Sequence, residues 1–279
     1  MCDKMKKYLI FTVASLLLMP SCLTKKEKPG ELTRTSGEVK LVTLDPGHFH
    51  AALVQKNSYK QVADEVYVYA PEGDDVQEHL NKINGYNTRT DSPTKWKEVV
   101  YLGSDFLEKM LSEKKGNVMI TAGNNGKKTE YIKQTLMAGI HVLADKPMAI
   151  NSENFGLLKE CFDIARGKGI LLYDIMTERH EITTVLQREL SCIPAVYGEQ
   201  LKGTPEEPAI VKESVHHFFK VVSGTPLKRP AWFFDVNQQG EGIVDVTTHL
   251  VDLVQWEAFP EQVIDYKKDI ELIDANRWT

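Results

Sequence analysis

Asp45, Gly47, His48 and His50 stand close together in the segment Leu44-Asp45-Pro46-Gly47-His48-Phe49-His50-Ala51. An acid, a glycine and two imidazoles at one strand end can serve metal ligation, proton transfer or the close approach of a phosphate to backbone. A second candidate is Lys146 in "HVLADKPMAI", residues 141–150. At the end of a fifth parallel strand its ammonium would face the same crevice and act on a substrate hydroxyl. The third is "GEGIVDVTTHLVDLVQW", residues 240–256, where Asp245 and His249 are four apart. A helix puts both on one face, with Asp252 a further turn along. An acid beside a histidine orients the imidazole for proton transfer near neutrality. Each has a plain counterpart that spacing does not exclude: a capping histidine, a surface lysine, a solvated Asp-His pair.

The elements that must position these residues follow from hydrophobic periodicity. Six strand-like runs, at 39–45, 65–70, 97–103, 117–123, 141–147 and 170–176, alternate with helical patterns at 50–63, 75–84, 104–115, 127–139 and 152–169. That alternation predicts a doubly wound, Rossmann-like α/β domain with a parallel sheet, over residues 39–180. The continuous Val, Ile, Leu and Tyr runs suit strands buried on both faces. Beyond about 190 the rhythm changes. Residues 195–203 and 213–222 read as antiparallel strands, 224–242 as a loop and 243–259 as a helix, giving a second, smaller and possibly incomplete α+β domain over 181–279.

The chain has 279 residues, 42% hydrophobic and 26% charged, with a formal net charge of -5 and its 34 Lys and Arg scattered. No basic stripe offers a footprint for nucleic acid, so the expected partner is a small polar ligand. Residues 1–22 read as a leader: Lys4, Lys6 and Lys7 precede "YLIFTVASLLLM", and Cys22 follows. A cysteine there resembles the acylation site of bacterial lipoproteins, which implies export, a lipid anchor at Cys22 and a periplasm-facing or cell-surface location. Residues 23–38, polar with Pro29 and Gly30, read as a tether. Cys161 and Cys192 show no zinc spacing; Cys161 is expected in the core, and a bond between the two is open.

"LDPGH" resembles the zinc-binding start of cell-wall amidases, and H-x-H the first metal ligands of amidohydrolases. Both need further ligands, and His79, His141, His180, His216, His217 and His249 show no matching pattern. "GIHVLADKPMAI" is similar to the G-x-H-V-x-x-E-K-P segment of the Gfo/Idh/MocA oxidoreductases, the glucose-fructose oxidoreductase and inositol dehydrogenase group. "GEGIVDVTTHLVDLVQW" is similar to their G-G-G-x-x-x-D-x-x-x-H-x-x-D helix. The resemblance covers roughly residues 39–256 and implies an enzyme using NAD or NADP on a sugar or polyol. It implies Lys146 at the substrate hydroxyl, His249 as acid/base and Asp245 orienting both. Cofactor contacts would come from Asp45, Gly47, His48, His50, Ala51, Glu72, Asn124, Asn125 and Lys146.

The sequence also departs from that pattern. Asp45 and His50 stand where the first loop would carry its first and third glycines, and Asp145 replaces the motif's glutamate. The second strand ends in Ala70-Pro71-Glu72, so Glu72 or Asp74 must serve for an earlier ribose acid. Asn124 and Asn125 occupy positions where the family more often has proline and histidine. Two other readings therefore stay open: a carbohydrate-binding module without redox work, and a zinc hydrolase using His48 and His50.

Overall fold

A computed structural model describes residues 35–175, 178–213, 221–222, 224–245 and 247–276. The leader, most of the tether, His216, His217 and Val246 lie outside the described residues. Six strands form one parallel sheet: β1 (Leu41–Leu44), β2 (Glu65–Ala70), β3 (Lys97–Leu102), β4 (Val118–Thr121), β5 (His141–Ala144) and β6 (Leu172–Asp174), in the order β3-β2-β1-β4-β5-β6. The order reverses between β1 and β4. In an open α/β sheet a ligand crevice forms at that reversal, beyond the strands' carboxyl ends.

All four residues of β1 are buried, and alternate side chains supply opposite faces. Val42 and Leu44 join Met119, Ile132, Leu136, Val142 and Cys161 in one core cluster. Leu41 packs with Val66, Ile83, Trp96 and Ile120 in another. Helices α2 (Asp74–Thr88), α3 (Phe106–Glu113), α4 (Asn125–Met137) and α5 (Ser152–Lys168) match the periodicity. Asn151 Oδ1 caps α5 by accepting from the Asn154 N–H at 2.8 Å. Gly169, at φ 65°, ends it in the left-handed conformation common at helix C-termini.

Several expectations need correction. Helix α1 spans only His50–Leu53 rather than 50–63. The carbonyls that would extend it are taken by side chains: Trp96 Nε1 donates to Gln55 O at 2.6 Å and Arg89 Nη2 to Lys56 O at 2.7 Å. The apolar run of β3 is not covered on both faces, because β3 is an edge strand whose Val99, Val100 and Leu102 remain exposed. The expected strand at 195–203 is instead a helical turn, α7 (Pro194–Tyr197), after α6 (Ile182–Ser191). Pro194 is pre-set for a first helical position, and Gly198 at φ 78° ends the turn.

Of the strand expected at 213–222, Val221–Val222 (β7) is described, paired antiparallel with Thr225–Pro226 (β8). The segment read as a loop holds a 3₁₀ turn, Ala231–Phe234, and α8 (Val236–Gln239), capped by the Asp235 side chain. The final helix comprises α9 (Gly242–Asp245) and α10 (Thr247–Ala258). Cys161 is buried, and both Cys161 and Cys192 are free thiols. No helix among the described residues is long and apolar enough to cross a membrane.

Candidate active site

The loop after β1 is built around Asp45, whose φ of 47° lies in the left-handed region. Its Oδ2 accepts from Asn124 Nδ2 at 2.6 Å and from the Tyr131 hydroxyl at 3.0 Å. Asp45 therefore ties the first loop to the loop after β4, across the point where strand order reverses. The N–H groups of Gly47 and His48 donate to Ala122 O at 2.7 and 3.0 Å. Gly123, at φ 95°, lies so close beneath them that a Cβ would stand 2.7 Å from Gly47 Cα.

Above this loop opens a cleft of about 720 Å³, lined by Asp45–Phe49, by Ala70–His79 and by Leu227–Phe233. Trp232 closes over Gly47: its Nε1 donates to Asp75 Oδ2 at 2.7 Å, and a Cβ on Gly47 would stand 3.0 Å from its ring. The indole therefore packs directly on Gly47, and a larger residue there would push it away. Burial pushes the Asp75 carboxyl up, and Asp45 and Asp74 add to the rise against the hydrogen bond from Trp232. His79 also lines the cleft. It is buried, neither ring nitrogen has a partner, and burial, helped by Lys82, pushes its pKa down to about 4.

A smaller pocket adjoins, lined by His48, Gly123, Asn125, Asp145, Lys146, Trp232, Gln239 and Asp245. His48 and Trp232 belong to both spaces. Lys146 follows β5, and its Nζ donates to Asp245 Oδ1 at 3.0 Å and to Asp245 O at 2.5 Å. Burial works to raise the Asp245 carboxyl, but Lys146, His48 and Arg229 hold it below the usual value. The Lys146–Pro147 peptide is cis.

Asp145 lies beneath two imidazoles. His50 Nδ1 is 2.7 Å from its Oδ1 in a hydrogen bond; His48 Nδ1 is 2.9 Å from its Oδ2, out of line for one as the ring now stands. Asp145 is fully buried, which alone would raise its pKa, yet His50 and His48 hold it well below the carboxylate range. A single ion could span these three side chains, whose ligand atoms lie within 4.8 Å of one another, so the geometric condition of the zinc reading is met. Two ammonium groups oppose a dication there. Lys146 is the next residue, and the buried Lys128 donates to Asp145 O at 3.1 Å. The trio is better described as a carboxylate shared by two imidazoles.

The structure sorts the sequence candidates by place. Asp45, Gly47, His48 and Glu72 line the cleft, and Asn125, Lys146 and Asp245 the smaller pocket. His50 and Ala51 are turned into the protein, the former onto Asp145 and the latter into the core, so neither faces the space expected for a cofactor. Asn124 is taken by Asp45. Asn125 Nδ2 donates to Gln239 O and Oε1 at 3.0 and 2.9 Å, joining α4 to the C-terminal half. His249 shares a helical face with Asp245 in sequence, but its Nδ1 is 2.6 Å from Glu178 Oε2, and Asp252 is bound by Arg179.

Four residues of the site escaped sequence reading. Asp145 was visible only as a departure from a motif. Lys128, Trp232 and His79 carry no motif, although Lys128 lies on the buried face of an amphipathic helix.

Residues 48–173 match the family model described as "Oxidoreductase family, NAD-binding Rossmann fold", and residues 186–279 match "Putative oxidoreductase C terminal domain". No curated protein matches the chain. Among solved structures, an oxidoreductase-type protein from Parabacteroides merdae ATCC 43184 is 77% identical with a TM-score of 0.83, over 88% of this chain and 56% of that one. This chain thus spans little more than half of that relative's length. A protein from Thermotoga maritima has 15% identity and a TM-score of 0.56, over 79% of this chain and 59% of its own. GenD2 from gentamicin A biosynthesis, solved in complex with NAD, has 15% identity and a TM-score of 0.51, over 82% and 57%. The latter two show the shared fold alone. With both family models matched in order on one chain, residues 48–173 carry the NAD-binding Rossmann domain of the Gfo/Idh/MocA oxidoreductase family, followed by an oxidoreductase C-terminal domain over residues 186–279.

Proposed function

We propose that the protein interconverts a hydroxyl and a carbonyl on a sugar- or polyol-like substrate, with a nicotinamide dinucleotide held in the cleft over Gly47. The observation that carries this reading is the meeting of Lys146 and Asp245, from opposite halves of the chain, in a pocket that shares His48 with the cleft. The cleft fits a dinucleotide on two counts. It lies at the sheet's topological reversal, and its volume is that of a cofactor site. Asp45, Gly47 and His48 would border its phosphates, and Glu72 and Asp74 its ribose. The bound cofactor would supply hydride exchange with the substrate carbon.

The protein's own side chains would do the rest. A substrate oxygen entering between Lys146 and Asp245 would replace their direct contact, take an ammonium hydrogen bond and leave the carboxylate to orient a neighbouring hydroxyl. Such preset charges need no rearrangement as negative charge builds on that oxygen. The smaller pocket holds only about 10 Å³, so this pair must part for substrate to enter. Reduction of NAD by the full chain with myo-inositol, glucose or glucuronate tests the reading; equal failure of wild type and Lys146→Met with all three sinks it.

The division at 39–180 and 181–279, and export with a lipid anchor at Cys22, belong to the same proposal. The anchor is supported by Lys4, Lys6 and Lys7 before an apolar run, residues 8–19, that Cys22 follows after two residues. Mass spectrometry of the protein from its membrane fraction tests it: an acylated Cys22 at the mature N-terminus is expected, and an intact Met1 contradicts it.

A further inference from the structure

Resting on that oxidoreductase reading, we infer that His48, and not His249, exchanges the substrate hydroxyl proton, and that Asp145 holds its ring for the task. His48 lines both the cleft and the Lys146–Asp245 pocket, so its imidazole stands where cofactor and substrate must meet. His249 is not among the residues lining either space, and its Nδ1 lies 2.6 Å from Glu178 instead. Asp145 Oδ2 lies 2.9 Å from His48 Nδ1, out of line for a hydrogen bond as the ring stands, so a turn of the ring brings an Nδ1–H onto this carboxylate, whose other oxygen is bound to His50. A neutral imidazole that gives Nδ1–H to a carboxylate carries its lone pair on Nε2.

Burial keeps the ring neutral, pushing its pKa down to about 4; Asp145 opposes the fall, while His50 and Lys146 add to it. Asp245 also faces this imidazole. In the oxidative direction the substrate O–H bond breaks and its proton passes to His48 Nε2. The electrons of the adjacent C–H bond leave as hydride to the oxidised nicotinamide, and a C=O bond forms. The substrate is oxidised, the dinucleotide reduced, and the imidazolium returns its proton to water.

Two readouts test this on the full chain. Long-range ¹H–¹⁵N spectra of histidine-labelled protein without cofactor should show His48 protonated on Nδ1 and bare on Nε2 at pH 7, a preference lost in Asp145→Asn. A charged ring, or one protonated on Nε2, overturns the inference. In NAD reduction with the three substrates above, His48→Gln should lose about 100-fold in rate, the scale of a missing acid/base, while still binding NAD. A larger loss in His249→Gln than in His48→Gln overturns the inference while leaving the oxidoreductase reading intact. A wild type that reduces no NAD overturns both.

Discussion

Lys146 Nζ reaches Asp245 at 3.0 Å from Oδ1 and 2.5 Å from the backbone oxygen, joining the end of β5 to the start of the last helices. The same contact brings two motif residues together, and it makes stability and chemistry inseparable at this point. Lys146→Met should remove activity and destabilise the fold by roughly 3 kcal/mol, because the half-enclosed Asp245 carboxylate loses its counter-charge. Urea unfolding checks the second effect. Adding Asp245→Leu should restore part of the stability and none of the activity.

Gly123 is the closest backbone approach in the site. A Cβ there would stand 2.7 Å from the Gly47 carbonyl carbon and 2.9 Å from His48 N, at a φ of 95° that side chains rarely adopt. Gly123→Ala should cost about 1–3 kcal/mol, as local backbone strain does, with the first loop displaced. The urea midpoint reads the cost, and a midpoint equal to that of wild type contradicts the geometry.

Burial sets a pH dependence at His79. Its folded pKa of about 4 lies below the ordinary histidine value of 6.5, so the unfolded chain binds more protons between these limits. Stability is then retained above pH 6.5 and falls as pH drops toward 4, by up to about 3 kcal/mol from this group. The buried His48 titrates in the same direction. His79→Leu should flatten the fall in urea midpoint between pH 7 and pH 5, and an unchanged slope would place the proton uptake elsewhere.

Carboxylates crowd the cleft beyond β2. Glu72, Asp74, Asp75 and Glu78 line its β2 edge, with Glu78 paired to Lys82 and Asp75 to Trp232, while Lys228 and Arg229 line the cleft from the C-terminal half. Facing this edge, the 2′-phosphate of NADP meets like charge where the hydroxyl of NAD finds an acceptor. NAD should bind at least about tenfold more tightly, a difference of about 1.4 kcal/mol. Tryptophan fluorescence during titration with each dinucleotide measures it, and Glu72→Arg should narrow the gap.

The parallel sheet was legible because six apolar runs separated by helical periods admit few other arrangements, and Lys146 and Asp245 were legible because each sits in a motif with a register. The length of α1 was not, since Trp96 and Arg89 come from distant positions to take its carbonyls. The surroundings of His249 were equally hidden: helical spacing puts it on a face with Asp245, but Glu178, a long way back in the chain, lies 2.6 Å from its Nδ1. Trp232 came from a stretch that read as plain loop, although it shapes the cleft from above. Local periodicity fixes elements; the contacts that decide a site come from residues far apart in sequence.

The central claim is that the cleft over Gly47 receives a nicotinamide dinucleotide. Calorimetric titration of the full chain with NAD⁺ is the direct test, alongside Gly47→Trp, whose side chain would displace Trp232 and crowd the floor of the cleft. Saturable binding at one site per chain, abolished in the variant, is the expected result. No binding at millimolar NAD⁺, or binding that Gly47→Trp leaves unchanged, would contradict it.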